Sequence, residues 1–288
     1  MKKLKTVSDI DELADLLAEA RSTGKSVGLV PTMGALHKGH LSLVSCCNAG
    51  NKVTIVSIFV NPEQFNDPED LESYPSNLDR DLQMLREADC DIVFVPSVKT
   101  IYPVPDMREF DFGPLDKIME GRFRPGHFTG VARVVSRLFE IIKPDRAYFG
   151  EKDFQQLAVI RKMTGMLQLP VEIKACPTVR ESDGLAMSSR NVLLSSGQRK
   201  NAVLIGQTLR AAAQKKGMAV WELKKWVADT INENPFLDLE YFEIVDSKDL
   251  QPAADGERVK QGLTGCIAVR VGNVRLIDNV FFYNFEAL

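Results

Sequence analysis

The chain has 288 residues but only three histidines, and these lie in two short stretches. His37 and His40 stand three apart in PTMGALHKGH, residues 31–40, and His127 closes GRFRPGH, residues 121–127. Imidazole can donate a hydrogen bond, or a proton, to an oxygen that is gaining charge near neutral pH. Gly34 and Gly39 allow close backbone approach, and a helix starting near Gly39 would offer free N–H groups and a positive dipole end. Together these features suit a polyphosphate. A zinc site would need further ligands, and no cysteine pair is nearby.

Four other stretches add polar chemistry. Asn61 and Gln64 in VNPEQF are neutral donors and acceptors suited to orienting a small polar substrate. Arg122, Arg124 and His127 form a candidate anion grip. In GEKDFQQ, residues 150–156, Lys152 can neutralise a phosphate and Gln156 can face a substrate. In MSSRN, residues 187–191, two hydroxyls, a guanidinium and backbone N–H groups suit the outer phosphates of a nucleotide. Each stretch alone also reads as an ordinary turn, charged helix start or linker; their joint placement makes the case.

The elements that must carry these groups follow from hydrophobic periodicity. Residues 8–22 read as an amphipathic helix capped by Ser8. A strand at 27–30 leads into a loop at 32–39 and a helix at 41–47. The β-branched run at 53–60 suits a strand buried on both faces of a parallel sheet. A helix at 78–88 and a strand at 92–95 follow, and 96–127 reads as irregular. Apolar residues from Val131 to Ile142 recur with helical spacing. A strand at 147–149, a helix at 155–166 and a strand at 171–175 complete an alternating pattern. That pattern predicts an α/β, Rossmann-like doubly wound parallel sheet. Two helical segments at 198–232, broken near Gly217, precede strand-like runs at 239–245, 266–271 and 274–282. They predict a smaller α+β C-terminal domain. The expected division is 1–179 and 180–288, with the second domain covering the active site.

Ligands in such sheets bind beyond the C-terminal ends of the strands, where the first motif and GEKDFQQ both fall. Lys plus Arg number 36 and Asp plus Glu 39, a net charge of −3. That balance gives no general attraction to nucleic acid or to an anionic membrane. The N-terminus has three lysines but no apolar stretch behind them, and no run is long enough to span a bilayer. The five scattered cysteines read as free thiols, and a cytoplasmic protein is expected.

The motifs PTMGALHKGHLSLV, FVNPEQF, RPGHFTGV, YFGEKDFQQ and RESDGLAMSSRN, in that order and across nearly the whole chain, resemble the pantothenate synthetase (pantoate–β-alanine ligase, AMP-forming) family. HxGH by itself is shared with cytidylyltransferases and class I aminoacyl-tRNA synthetases, and MSSRN is similar to the mobile phosphate loop of the latter. Arg133 stands where the resemblance leads one to expect a smaller polar residue. The resemblance implies an HxGH nucleotidyltransferase-type fold and a two-step reaction. Pantoate is first activated by ATP as pantoyl adenylate, with release of pyrophosphate. The amine of β-alanine then displaces AMP.

It also implies ATP binding by Met33, Gly34, Ala35, Leu36, His37, Lys38, Gly39 and His40, by Gly150, Glu151, Lys152 and Asp153, by Val179, and by Met187, Ser188, Ser189 and Arg190. Gln64 is implied for pantoate and β-alanine, and Gln156 for pantoate; Asn61 joins them from its position. His40, His37 and Lys152 are the expected catalytic residues, with His40 as proton donor. Mg²⁺ is expected to enter with ATP without dedicated protein ligands, Asp81 being a contact to examine, and a homodimer is expected. Another HxGH nucleotidyltransferase and a non-catalytic nucleotide-binding module are the competing readings.

Overall fold

The computed structural model describes residues 4–282. The chain divides into two compact units. Among the described residues, the first comprises 4–116, 120–151 and 156–177, and the second comprises 117–119, 152–155 and 178–282.

Up to residue 177 the elements run β1 (Lys5–Val7), α1 (Ile10–Ser22), β2 (Val27–Thr32), α2 (Lys38–Gly50), β3 (Val53–Ile58), α3 (Pro68–Glu72), α4 (Leu78–Glu87), β4 (Ile92–Phe94), α5 (Val98–Ile101), α6 (Met119–Phe123), α7 (His127–Ile142), β5 (Arg146–Gly150), α8 (Phe154–Met166) and β6 (Glu172–Cys176), all in the first unit but for the opening residues of α6 and α8. The strands pair in parallel in the order β1-β4-β3-β2-β5-β6. The doubly wound sheet expected from the alternation is therefore present.

Side-chain alternation splits each central strand between two cores. Leu29, Ile55 and Phe94 pack with Leu13 and Leu17 of α1 and Val135 and Phe139 of α7. Val30, Val56 and Val93 pack with Val44 and Cys47 of α2 and Leu85 of α4. Both faces are covered, which is why the strands read as continuous apolar runs. Chain order reverses between β2 and β5, so the ends of these two strands flank the topological switch point. The stretch 33–37 leaves one of them and Gly150–Glu151 the other.

The second unit holds α9 (Ser196–Ala213), α10 (Val220–Asn232), β7 (Asp238–Asp246), β8 (Leu263–Val271) and β9 (Val274–Phe281). The strands form an antiparallel sheet in the order β7-β8-β9. Ile205 and Leu209 of α9 and Leu223 and Val227 of α10 pack with Phe242, Ile267 and Val269 of the sheet. The helix pair and its break near Gly217, where φ is +76°, match the expectation.

Several local readings need correction. Asp9, not Ser8, caps α1: its Oδ1 accepts from the backbone N–H groups of Asp11 at 2.8 Å and Glu12 at 3.1 Å. Strand β2 extends through Thr32 and α2 begins at Lys38, so Gly39 lies inside the helix and the loop is only five residues. The run at 53–60 stops as a strand at Ile58. The segment 96–127 holds the short helices α5 and α6 and a 3-10 turn at Gly113–Asp116. These are too short to show periodicity. Strand β1 escapes the sequence pattern too, because three residues carry no alternation signal.

Gly130 on α7 lies against the backbone of the 3-10 turn Pro62–Gln64. A Cβ built there would clash with the Glu63 carbonyl and come within 2.8 Å of the Gln64 nitrogen. Gly130→Ala is expected to cost about 1–3 kcal/mol, because backbone must move to relieve the overlap. A denaturant melt that leaves the midpoint unchanged would contradict this packing.

Candidate active site

Between β2 and α2 the backbone makes a tight bend. Gly34 and Ala35 both adopt left-handed conformations, with φ of +81° and +48°. A side chain at Gly34 would meet Asp81 Oδ2 at 3.0 Å and the Ile58 methyl at 3.2 Å, so glycine answers both a conformational and a spatial demand. The bend is fastened at each end. The Thr32 hydroxyl donates to the Ser57 carbonyl at 2.8 Å and accepts from Gly34 N–H at 3.2 Å. Buried Asp81, from the first turn of α4, accepts from Leu36 N–H at 2.8 Å. Burial pushes the Asp81 carboxyl above the usual carboxylate range, opposed by the backbone N–H groups of Leu36 and Ala35.

The bend delivers His37 as the N-cap of α2. His37 Nδ1 accepts from Gly39 N–H at 3.1 Å, and His40 Nδ1 accepts from His37 N–H at 3.3 Å. This is a capping box made of two imidazoles, whose ring centroids are 4.1 Å apart. A ring nitrogen that accepts a backbone N–H cannot itself carry a proton. In both residues the proton therefore belongs to Nε2. The pair sits at the positive end of a 13-residue helix. Spacing alone brought these two residues together, and the structure adds their shared tautomer.

Asn61, Gln64 and Met33 form a linked set in the same unit. Asn61 is buried; its amide Nδ2 donates to the Gly130 carbonyl at 3.1 Å and to Gln64 Oε1 at 3.3 Å. Gln64 Nε2 approaches Met33 Sδ at 2.9 Å. Tyr102, which sequence reasoning passed over, donates to Asn61 Oδ1 at 3.0 Å. Burial, with the charge of Glu63, pushes the Tyr102 hydroxyl well above its ordinary range, so it remains a donor. A tyrosine in a Pro-rich segment gave no spacing signal.

His127 is buried, and both ring nitrogens are engaged. Nδ1 lies 2.8 Å from the Gln64 carbonyl and Nε2 lies 3.1 Å from Arg124 Nη1. One tautomer satisfies both, with Nδ1–H donating and Nε2 accepting. Two of the three residues read as an anion grip, Arg124 and His127, thus hold the Gln64 carbonyl, Arg124 Nη2 at 3.4 Å. Arg133 pairs with Glu63 at 3.3 Å and donates to the Arg108 carbonyl at 2.9 Å. Gln156 is half-buried in this unit, whereas Gln155 is buried and donates to the Ile118 carbonyl at 2.9 Å in the other.

Within the second unit, Lys152 Nζ lies 3.6 Å from Asp153 Oδ1. Val179 and Met187 face each other across a hairpin, with Met187 N–H donating to the Val179 carbonyl at 3.0 Å and an antiparallel bridge between Arg180 and Ala186. This hairpin launches Ser188, whose hydroxyl accepts from Arg190 N–H at 3.3 Å and caps the 3-10 turn Ser189–Leu193. Among the described residues, no three His, Cys, Asp or Glu side chains converge to hold a metal ion.

A doubly wound parallel sheet that presents paired imidazole donors at a helix start beside its switch point defines the HxGH class of nucleotide-binding α/β proteins. Within that class, the pantoate–β-alanine ligase profile matches residues 5–281, and the chain belongs to that family. The pantothenate synthetase of Phocaeicola vulgatus is 54% identical over 279 residues, covering 96% of this chain and 99% of the relative. The crystal structure of pantothenate synthetase from Thermus thermophilus aligns with a TM-score of 0.90 at 43% identity, covering 97% of this chain and all of the other. The pantoate–β-alanine ligase of Francisella tularensis, complexed with β,γ-ATP and β-alanine, aligns with a TM-score of 0.80 at 36% identity, covering 97% and 98% of the two chains.

Removing the Tyr102 hydroxyl leaves Asn61 Oδ1 with only the long bond from Glu63 N–H at 3.4 Å. Tyr102→Phe is expected to raise the KM for the small acid substrate about fivefold, equivalent to ~1 kcal/mol, with little change in melting temperature. Steady-state kinetics with that substrate varied provide the check. For Asp81, a folded-state pKa raised by burial stabilises the protein at acidic pH, and this contribution is lost as pH rises through the folded pKa. Asp81→Asn keeps an acceptor for Leu36 and removes the charge. The melting temperature of the variant relative to the parent should therefore increase as pH rises above the ordinary carboxylate range. A difference that is flat with pH would refute this account.

Proposed function

We propose that this chain condenses pantoate with β-alanine, using ATP, through a pantoyl adenylate. The observation that carries the reading is the imidazole pair, which presents two Nε2–H donors at the start of α2. Membership of the ligase family supports the substrates, as does the Francisella relative complexed with β,γ-ATP and β-alanine.

The reaction needs no covalent nucleophile from the protein. The pantoate carboxylate attacks the α-phosphorus of ATP, and the α–β phosphoanhydride bond breaks to release pyrophosphate. The β-alanine amine, having lost a proton, then attacks the acyl carbon, and AMP leaves as pantothenate forms. The enzyme's work is alignment and stabilisation of charge on departing phosphate. His40 directs Nε2–H toward the oxygen that gains charge as pyrophosphate leaves, and His37 supports it beside the helix end. Met33–Lys38 and Gly39 offer backbone close to the nucleotide, with Gly150 and Glu151 at the neighbouring strand end.

Lys152, Ser188, Ser189 and Arg190 supply cationic and hydroxyl contacts to phosphate oxygens. Asp153, Val179 and Met187 complete the nucleotide-binding set. Asn61, Gln64 and Gln156 orient pantoate, and Gln64 also serves β-alanine. Neutral amides suit this task, since a cation on the carboxylate would blunt it as a nucleophile. Mg²⁺ enters as the ATP complex, held by phosphate and water and needing no cage of carboxylates. The same proposal includes a cytoplasmic homodimer. Light scattering on the eluted protein would show a mass twice that of the chain.

A product assay tests the chemistry. Protein mixed with ATP, Mg²⁺, pantoate and β-alanine should yield AMP, pyrophosphate and pantothenate. ADP as product, or equal turnover with CTP, would overturn the reading. His40→Ala should lower turnover about 10²- to 10³-fold while ATP binding falls much less. Near-parental turnover would remove His40 from its role.

A further inference from the structure

Strand β9 ends in a polar cluster that the proposed reaction does not use. Asp278 and Asn279 are both buried. The Asp278 carboxylate takes the Arg180 guanidinium in a forked pair, at 2.6 Å from Nη1 and 2.9 Å from Nη2, and its Oδ1 also accepts Asn279 N–H at 2.8 Å. Arg180 donates further to the Asn279 carbonyl at 3.3 Å and to the Gly184 carbonyl at 3.1 Å. β9 is an edge strand of its sheet. The N–H and C=O of Asn279 thus both engage the ion pair.

With its backbone held in this way, Asn279 has a fixed side-chain direction. Nδ2 donates to the Lys152 carbonyl at 3.0 Å. Lys152, read above as a phosphate ligand, is thus tied to β9 through its backbone. Arg180 also belongs to the hairpin that launches Met187–Arg190, and its bond to Gly184 holds the tip of that hairpin. One ion pair, buried on its carboxylate side, therefore anchors the roots of both segments proposed to meet phosphate in this unit. Burying an ion pair is costly, and an apolar pair of similar volume would serve packing as well or better. What an apolar pair could not supply is the fixed donor to Lys152.

We propose that Asn279, held by the Arg180–Asp278 pair, is a positioning residue that sets Lys152 for its phosphate contact. This rests on the reading of Lys152 as a phosphate ligand. The test measures pantoate-dependent ATP–pyrophosphate exchange for Lys152→Ala, Asn279→Ala, Asn279→Asp and the Lys152→Ala/Asn279→Ala double variant, with melting temperatures alongside. Asn279→Asp is isosteric but exchanges the donor for a carboxylate, so it is read together with the neutral Asn279→Ala. Both Asn279 variants should fold and lose about tenfold in kcat for exchange, with the KM for pantoate unchanged, since misplacing a charge affects the transition state more than remote binding. On the Lys152→Ala background, Asn279→Ala should cost nothing more, because its effect travels through the missing ammonium. Equal losses on both backgrounds would overturn the positioning role while leaving Lys152 in place. Failure of both Asn279 variants to fold would also overturn it, in favour of a structural role. Parental exchange by Lys152→Ala would instead remove the phosphate reading of Lys152, and the positioning role with it.

Discussion

At the N-terminus of α2, each of two imidazoles accepts a backbone N–H through Nδ1, and much of the candidate site follows from that exchange. It starts the helix, because it satisfies two of the N–H groups that a helix start leaves without partners. It assigns the tautomer, because an accepting Nδ1 leaves the proton on Nε2. It also brings the rings together at the positive end of the helix dipole. For this exchange to form, the chain must turn sharply within the five residues after β2. The left-handed bend at Gly34–Ala35, tied by Thr32 on one side and buried Asp81 on the other, supplies that turn. A carboxylate is costly to bury, and here it is opposed by backbone donors from the bend it holds.

A second theme is the clustering of neutral groups around buried Asn61. Asn61, Gln64 and Tyr102 form a chain of amide and hydroxyl contacts. The ionic groups nearby are occupied: Arg133 with Glu63, and Arg124 with His127. His127 illustrates how residue type alone misleads. Its stretch has the composition of an anion grip, yet both ring nitrogens are engaged, one of them on the Gln64 carbonyl. Its contribution is the direction of a neighbour.

The parallel sheet was legible because burial on both faces leaves an unmistakable apolar run, and α7 was legible because its apolar residues keep helical spacing from Val131 to Ile142. The pairing of His37 with His40 was legible for the same reason, since three residues apart on a helix start is a distance that chemistry can use. Short elements were not. β1, α5 and α6 are held by tertiary contacts and have no room for a period to show. Likewise Ser8 and Asp9 are both good caps, and only the position of the first helical turn chose between them.

By itself, the order of motifs determined the family and the sheet type and named the residues proposed to meet ATP, because those depend on residue type and short-range spacing. Only the tertiary structure decided which nitrogen of each histidine carries the proton, that Tyr102 supports Asn61, and that Asn279 reaches Lys152 across 127 positions of sequence. The last two are hydrogen bonds between residues distant in sequence, and the first depends on how the bend before α2 is held. Their direction depends on where strands and turns end in space, which no local pattern of side chains encodes.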